Sequence, residues 1–259
     1  MGDFAVNVAA IYQIGVARGD YSILSAMDIR GDELFAAFGQ SINDLFLRHR
    51  ADLERKRETS TVLRIDPRWL EAASTAAGAK TRWVDGTPEY SFHICGLRKL
   101  FPDALFIHLF RDVRAVIRSM LNFHRIAGIH LVANEEEAYK YWLRAVRACL
   151  NAERAYGPHV IYRLRYASLI DNPEVAMRSL LDFVGEPYTA KCLEPLAQRI
   201  NSSTGPTDFR CYDAATDPAI VEEACQLSAE IEATVQSSES SSAAADELEA
   251  AFEQSCVKT

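Results

Sequence analysis

One segment of the chain has a distinctive apolar pattern: residues 104–110 (ALFIHLF), which follow Pro102-Asp103 and precede Arg111-Asp112. A nearly unbroken apolar run of this length, bounded by polar residues, is typical of a central parallel strand that is covered on both faces. Residues 159–164 (HVIYRL) have the same character, and residues 81–84 (TRWV) end at a turn dipeptide. We therefore predict strands over these three segments.

Segments with helical spacing of apolar residues alternate with these runs. Asn134 stands three residues before Glu137, as an N-terminal cap does, Pro173 follows Asn172 at a first helical position, and Gly185 follows a last periodic residue. The spacing predicts helices over residues 32–58, 66–77, 93–100, 113–121, 135–156, 173–184 and 218–234. Because strands and helices alternate, their order predicts a parallel α/β sheet.

Length and composition are those of one globular domain. The 259 residues, 49% hydrophobic and 25% charged, exclude a collagen, a coiled-coil rod and wholesale disorder. We expect one α/β domain over residues 1–235 and an acidic tail rich in serine and alanine over residues 236–259. Residues 11–14 (IYQI) allow two interpretations, a short strand that runs into Gly15 or part of a helix.

Charge is distributed unevenly. The formal net charge is −8, but residues 216–259 alone hold ten acidic residues and one lysine. Residues 80–125 hold eight basic and four acidic residues, a local excess that can attract an anionic ligand. The cationic patch is small and no recognition motif accompanies it, so we expect no nucleic-acid partner.

Several classes of protein lack support in the sequence. No apolar run approaches the roughly 18 residues of a membrane span, and no basic segment precedes the apolar N-terminus, so we expect no membrane span and a cytoplasmic location. The six cysteines form no CxxC pair and no spacing typical of zinc ligands, which predicts no metal site. A kinase of similar topology has little support because GxxxxGK[ST] is absent.

Arg111 and Ser119 are the candidate ligand-binding residues. Ligands of open α/β sheets bind at the carboxyl ends of the strands, where Arg111 is expected. In the following helix, Ser119 falls off the apolar stripe that contains Val113 and Ile117. A guanidinium and a hydroxyl so placed can share one phosphate group. Taken alone, however, an arginine before an acidic residue is more often part of a structural ion pair.

The surrounding motifs resemble a known family. Residues 101–120 (FPDALFIHLFRDVRAVIRSM) resemble the 3′-phosphate-binding segment of bacterial-type sulfotransferases that use 3′-phosphoadenosine 5′-phosphosulfate (PAPS), in which a strand-ending arginine precedes a serine by eight residues. Residues 81–90 (TRWVDGTPEY) are similar to the family's tryptophan-acid-lysine-threonine-proline segment, and residues 165–188 to its later strand and helix. The loop INSSTGP at residues 200–206 is similar to the C-terminal part of bacterial members.

The resemblance implies a three-layer α/β/α fold with a central parallel sheet, the P-loop NTPase-like topology of sulfotransferases. It implies transfer of a sulfuryl group from PAPS to a hydroxyl or amine acceptor, with Arg111 and Ser119 holding the 3′-phosphate and no metal required. The partner would be a small-molecule, glycan or lipid acceptor, contacted by loops near residues 125–134 and 201–210. The catalytic residues, the acceptor and the oligomeric state stay open.

Two departures from the family pattern favour an alternative. Gly86 stands where the family has a lysine, so one cation near the transferred group is missing. Residues 14–22 contain Gly15, Arg18 and Ser22 in the order of a phosphosulfate loop, but Asp20 replaces a glycine and would repel a bound anion. Either this loop has decayed, or the chain begins downstream of the true loop and residues 11–30 are helix and turn. The alternative function is a non-catalytic binding module.

Other residues have weaker support. Candidates for the acceptor base are Glu89, His93 and His124, although each is more simply a surface or loop residue. Arg210 is a further candidate for phosphate contact. We expect structural positions for the remaining residues of interest: Trp83 and Trp142 in the core or a cleft wall, and Arg114 and Arg118 on a solvated helix face.

Overall fold

The computed structural model describes residues 2–59, 82–197 and 213–257. The chain forms two compact units: Met1–Asp103 together with Glu253–Thr259, and Ala104–Phe252. The predicted helix over residues 66–77, the INSSTGP loop and Arg210 lie outside the described residues.

The first unit is helical. Its elements are α1 (Gly2–Val16), a 3-10 turn (Gly19–Tyr21), α2 (Ile23–Ala26), α3 (Gly31–Thr59), a second 3-10 turn (Pro88–Phe92) and α4 (Ile94–Leu100). Residues 11–14 therefore belong to a helix, which decides between the two interpretations of this segment. Gly39 allows α3 and α4 to touch, because a Cβ atom at this position would lie 1.6 Å from the Leu100 carbonyl oxygen.

The second unit contains the sheet. Its elements are β1 (Phe106–Phe110), α5 (Val113–Asn122), α6 (His124–Ala127), α7 (Glu135–Tyr156), β2 (Ile161–Arg165), α8 (Tyr166–Asp171), α9 (Pro173–Val184), a 3-10 turn (Ala190–Leu193), α10 (Glu194–Ala197), α11 (Pro218–Ala233) and the part of α12 (Ser242–Val257) that precedes Glu253. Its hydrophobic core joins the end of β1 to α5, α7 and α11, with Ile117, Tyr139 and Trp142 among the buried side chains. The core position expected for Trp142 is thus confirmed.

The capping predictions are confirmed. The Asn134 side chain accepts a hydrogen bond from the backbone N–H of Glu137 at 2.9 Å. Pro173 is the first residue of α9, and Gly185 follows that helix in the left-handed conformation at φ 70°. These local rules act within one turn of the chain, so sequence alone is sufficient to place them.

β1 and β2 are parallel and aligned without offset, with Phe106 opposite Ile161 and Phe110 opposite Arg165. The expectation that β1 is covered on both faces is wrong for the described residues. His108 and Phe110 are buried, whereas Ile107 and Leu109 are 42% and 53% exposed. On that second face, the Tyr162 ring, which is opposite Ile107 in the register, stacks on Phe183 of α9 with centroids 5.3 Å apart. The second face is therefore covered beside β2 and largely open beside β1.

The predicted strand over residues 81–84 is also wrong where the structure describes it, because residues 82–87 have no regular secondary structure. Trp83 instead donates a hydrogen bond from Nε1 to Asn43 at 3.0 Å and packs edge-on against Phe46 and Phe101. Tertiary contacts of this one aromatic ring hold the segment without a neighbouring strand. Two parallel strands are described, and the three-layer arrangement stays a prediction.

Candidate anion-binding site

The parallel register brings two segments together at the carboxyl edge of the sheet. Phe110 and Arg165 are opposite each other at the ends of β1 and β2, and the next residues along the two strands are Arg111 and Tyr166. Asp112 then starts α5, its carboxylate accepting a hydrogen bond from the Ala115 N–H at 3.0 Å. Arg111 is thus at the strand-to-helix junction where the sequence predicted it.

Arg111 lies on an aromatic ring. Its guanidinium carbon is 4.6 Å from the centroid of the Tyr166 ring, within the range of a cation–π contact. Both residues are half-buried. A cation–π contact uses none of the guanidinium hydrogen-bond donors, so the N–H groups of Arg111 can still donate to a phosphate. Sequence reasoning missed Tyr166, because its position follows from the strand register and from no local motif.

The neighbouring arginines of β2 are already paired. Arg163 donates from Nε and Nη2 to the carboxylate of Glu153, and Arg165 donates from Nη2 to the carbonyl oxygens of Ile231 and Thr234. Among the described residues, by contrast, no oxygen atom accepts a hydrogen bond from the Arg111 guanidinium, and no ion pair joins Arg111 to Asp112. The structural ion pair that a strand-end arginine usually makes is therefore absent from this part of the chain.

Ser119 lies two turns into α5 and is half-buried, while Val113 and Ile117 on the core side are 1% and 0% exposed. The Arg111 and Ser119 side chains are not hydrogen-bonded to each other, and neither is enclosed in the hydrophobic core. The expectation of a solvated face holds for Arg114, which is exposed. It is wrong for Arg118, which is half-buried because α7 and α11 flank α5.

The Nε atom of Arg118 is an unsatisfied donor on this helix. It is shielded from solvent and has no hydrogen-bond partner within the described residues. A buried donor without a partner is costly, and such atoms in folded proteins commonly face a water molecule, an ion or a ligand. The helix that bears Ser119 therefore has unused capacity to donate hydrogen bonds.

A buried ionic cluster lies three residues before Arg111. His108 Nδ1 is 2.5 Å from Glu153 Oε1, and Arg163 Nη2 is 2.5 Å from Glu153 Oε2, with all three side chains at most 9% exposed. Burial opposes the charge on His108, but hydrogen bonds with Cys149 and Glu153 outweigh it and raise the His108 pKa to about 9. Burial likewise opposes the charge on Glu153, yet His108 and Arg163 hold the Glu153 pKa below its usual range. The cluster joins β1, α7 and β2.

Residues 14–22 do not have the form of a phosphosulfate loop. Such a loop follows a strand, whereas Gly15 lies in the last turn of α1. A Cβ atom on Gly15 would be 2.3 Å from Leu24 Cδ1, so this glycine allows α2 to pack on α1. The Ser22 hydroxyl accepts a hydrogen bond from the Arg18 N–H at 2.7 Å, and Ser22 is buried. The structure supports the interpretation of this segment as helix and turn.

The position of the missing lysine is open to solvent. Gly86 has no atom within 4 Å of a Cβ built on it and no positive φ angle. Its neighbour Asp85 accepts hydrogen bonds from the Thr87 N–H and hydroxyl and from the Tyr90 hydroxyl. Burial opposes ionisation of Asp85, and these hydrogen bonds outweigh it and lower the Asp85 pKa. No steric demand of the fold explains the glycine.

The candidate bases are in different surroundings. Glu89 is exposed and His93 is half-buried. His124 Nδ1 is 3.0 Å from the Leu121 carbonyl oxygen, and its ring stacks on His130 with centroids 4.5 Å apart. Because a carbonyl accepts the Nδ1 proton, His124 keeps its lone pair on Nε2 and can accept a proton there when neutral.

No helix in residues 2–59, 82–197 or 213–257 is long and apolar enough to cross a membrane. The same ranges contain no group of three or more histidine, cysteine, aspartate or glutamate residues arranged to hold a metal ion.

The comparisons with known proteins agree on one family. The profile described as "Sulfotransferase family" matches residues 30–190. The omega-hydroxy-beta-dihydromenaquinone-9 sulfotransferase Stf3 of Mycobacterium tuberculosis (strain CDC 1551 / Oshkosh) is 29% identical over 128 residues, which cover 45% of this chain and 33% of the relative. Protein-tyrosine sulfotransferase 1 of Danio rerio is 31% identical over 129 residues, which cover 48% of this chain and 34% of the relative. The matches thus span about a third of the length of these relatives.

The family match includes the strand edge and excludes the N-terminal segment. Arg111, Ser119 and Tyr166 lie within residues 30–190, whereas residues 14–22 precede the match. This boundary agrees with the helical structure of α1. The expected family resemblance is confirmed.

Proposed function

Because the chain belongs to the sulfotransferase family, we propose that it transfers a sulfuryl group from PAPS to a hydroxyl acceptor. Arg111 and Ser119 bind the 3′-phosphate of the nucleotide, and Tyr166 holds Arg111 in place. The observation that carries this proposal is the Arg111 guanidinium, half-buried over Tyr166 and without a hydrogen-bond partner among the described residues. The finer fold that we propose is the three-layer, P-loop NTPase-like arrangement of the family.

The residues present suit a nucleotide phosphate. Arg163 and Arg165 are engaged in the fold, so at this edge Arg111 supplies the positive charge and Ser119 a hydroxyl. Asp112 and Ser228 already accept hydrogen bonds from Ala115 and Val113 at the start of α5. The phosphate would therefore be held by side chains more than by the amides of the helix N-terminus.

The acceptor class follows from the names of the relatives. One relative is named for an omega-hydroxy menaquinone and another for protein tyrosine, and both names specify a hydroxyl group. We propose a hydroxyl acceptor for this chain. During transfer, the acceptor oxygen forms a bond to sulfur, the sulfur–oxygen bond to the nucleotide phosphate breaks, and a base takes the acceptor proton. His124, through Nε2, is the base candidate with the best-defined geometry.

A transfer assay tests the proposal. The purified chain is incubated with sulfur-radiolabelled PAPS and a panel of phenols and primary alcohols, and labelled product is separated and counted. We expect product formation, with kcat/KM lowered at least about tenfold in Arg111→Ala, as for loss of a charge-assisted hydrogen bond. The matched control is Arg178→Ala, which removes an exposed Arg–Tyr stack (3.8 Å to Tyr188) on α9 and should leave kcat/KM unchanged. Equal activity of Arg111→Ala and wild type would overturn the assignment.

A non-catalytic binding module is the second candidate. Two observations favour it: Gly86 in place of the family lysine, and a helix rather than a strand and loop over residues 2–16. On this alternative the chain binds adenosine 3′,5′-bisphosphate through Arg111 but transfers no label to any acceptor. The same assay combined with a binding titration therefore separates the two candidates.

A further inference from the structure

The N-terminal helix α1 has two apolar faces. Ala5, Val8 and Ala9 on one face are at most 9% exposed and contribute to the core of their unit. Phe4, Ile11 and Ile14 fall within an arc of about 80° on another side of the helix. These three side chains are 53%, 46% and 76% exposed. A surface helix normally has a polar outer face, so this second stripe requires an explanation.

The following turn and α2 continue the exposed stripe. Tyr21, Ile23 and Met27 are 94%, 71% and 65% exposed. They belong to the turn and to the helix that pack on the end of α1, where Leu24 lies against Gly15. We name these six residues the N-terminal apolar face: Phe4, Ile11, Ile14, Tyr21, Ile23 and Met27. Taking roughly 200 Å² for a fully exposed large side chain, their exposed fractions amount to roughly 800 Å².

An exposed apolar area of this size exceeds what a monomer usually leaves in contact with water. It matches the area that each partner buries in a stable protein–protein interface, about 800 Å². The presence of Tyr21, the most exposed of the six side chains, agrees with the enrichment of tyrosine at interfaces. The face is therefore large enough to support a specific dimer.

The charges near this face indicate which kind of partner it binds. Arg18 and Asp20 lie in the turn between α1 and α2, both exposed and of opposite sign. In a two-fold dimer the same surface meets itself, so Arg18 of one copy can pair with Asp20 of the other and the reverse. An anionic membrane would instead require an excess of cations, and Arg18 is balanced by Asp20. We propose that the N-terminal apolar face is a self-association surface that binds a second copy of this chain.

Sedimentation velocity over a range from low micromolar to a few hundred micromolar protein tests the proposal. We expect a monomer–dimer equilibrium in the wild type. Ile14→Asp should raise the dimer dissociation constant at least about tenfold, because it places a charge in the apolar face. The matched control is Val175→Asp, which changes a 65% exposed valine on α9 and should leave the dissociation constant unchanged. A wild type that stays monomeric, or a dimer that Ile14→Asp does not weaken, would overturn the proposal.

A charge exchange tests the two-fold pairing. Arg18→Asp and Asp20→Arg should each weaken the dimer, and the double variant Arg18→Asp/Asp20→Arg should restore it, because the exchanged charges again face each other. Failure of the double variant to recover would overturn this geometry. A second arm uses vesicles of phosphatidylcholine and phosphatidylserine. Co-sedimentation of a monomeric wild type with these vesicles, abolished by Ile14→Asp, would assign the face to a membrane and reject the dimer.

Discussion

Replacing Glu153 by glutamine removes the negative charge from a buried cluster and changes the side-chain volume little. In the native chain this carboxylate lies between His108 and Arg163, 2.5 Å from a nitrogen of each. His108 can lose its proton in the variant, but Arg163 stays charged, buried and without its partner. Removing one partner of a buried ion pair in this way lowers the free energy of unfolding by about 3–5 kcal/mol.

The His108 pKa gives an independent magnitude. Its rise from an ordinary value of 6.5 to about 9 corresponds to about 3 kcal/mol of stabilisation. Because the folded-state pKa is raised, this contribution is complete below pH 6.5 and is lost as the pH rises through 9. Glu153 has a lowered pKa, so its contribution is present at neutral pH and is lost on acidification. The raised pKa of His108 and the lowered pKa of Glu153 together place the maximum of stability at or just below neutral pH.

Urea unfolding at a series of pH values between 6 and 10 measures both effects. The wild type should lose about 3 kcal/mol between pH 6.5 and 9. Glu153→Gln should start about 3–5 kcal/mol lower and lose less over that interval, because only the Cys149 contact then raises the His108 pKa. The control is Glu223→Gln, since the Arg147–Glu223 ion pair is about half exposed and should contribute less than about 1 kcal/mol. A cost below about 1 kcal/mol for Glu153→Gln, or wild-type stability independent of pH over this interval, would refute the reasoning.

Three further substitutions test local parts of the account. Gly39→Ala should lower the unfolding free energy by about 2–4 kcal/mol, because its Cβ would lie 1.6 Å from the Leu100 carbonyl oxygen. An unchanged free energy of unfolding in thermal unfolding would contradict the α3–α4 contact. Gly86→Lys should change stability by less than about 0.5 kcal/mol, since the position is open, and a larger loss in the same assay would contradict this. Tyr166→Leu should weaken binding of adenosine 3′,5′-bisphosphate about two- to fivefold in a calorimetric titration, because one cation–π contact is lost. Unchanged affinity would show that the contact with Arg111 does not contribute to nucleotide binding.

Local rules in the sequence predicted much of the second unit. The apolar run 104–110 gave β1, and the Asn134 and Gly185 signals gave helix ends that the structure confirms. These features depend on a few adjacent residues. The position of Arg111 at the strand-to-helix junction belongs to the same class, because it needs only the end of one strand and the start of one helix.

Features that depend on the partner segment could not be predicted. Tyr166 meets Arg111 because two strands 55 residues apart align without offset, and no local pattern specifies that register. The ionic cluster was visible only as a single histidine inside an apolar strand, since Glu153 and Arg163 come from elsewhere in the chain. Residues 81–84 were assigned to a strand because sequence does not show that Trp83 packs against Phe46 and Phe101.

The central claim is that Arg111 recognises the 3′-phosphate of a nucleotide, and comparing two ligands that differ in that group tests it most directly. Calorimetric titration of wild type, Arg111→Ala and the control Arg178→Ala with adenosine 3′,5′-bisphosphate and with adenosine 5′-phosphate measures the contribution of the 3′-phosphate in each protein. We expect wild type and Arg178→Ala to prefer the bisphosphate at least about tenfold, and Arg111→Ala to lose that preference. Equal affinity of the wild type for both nucleotides, or a preference that persists without Arg111, would contradict the account.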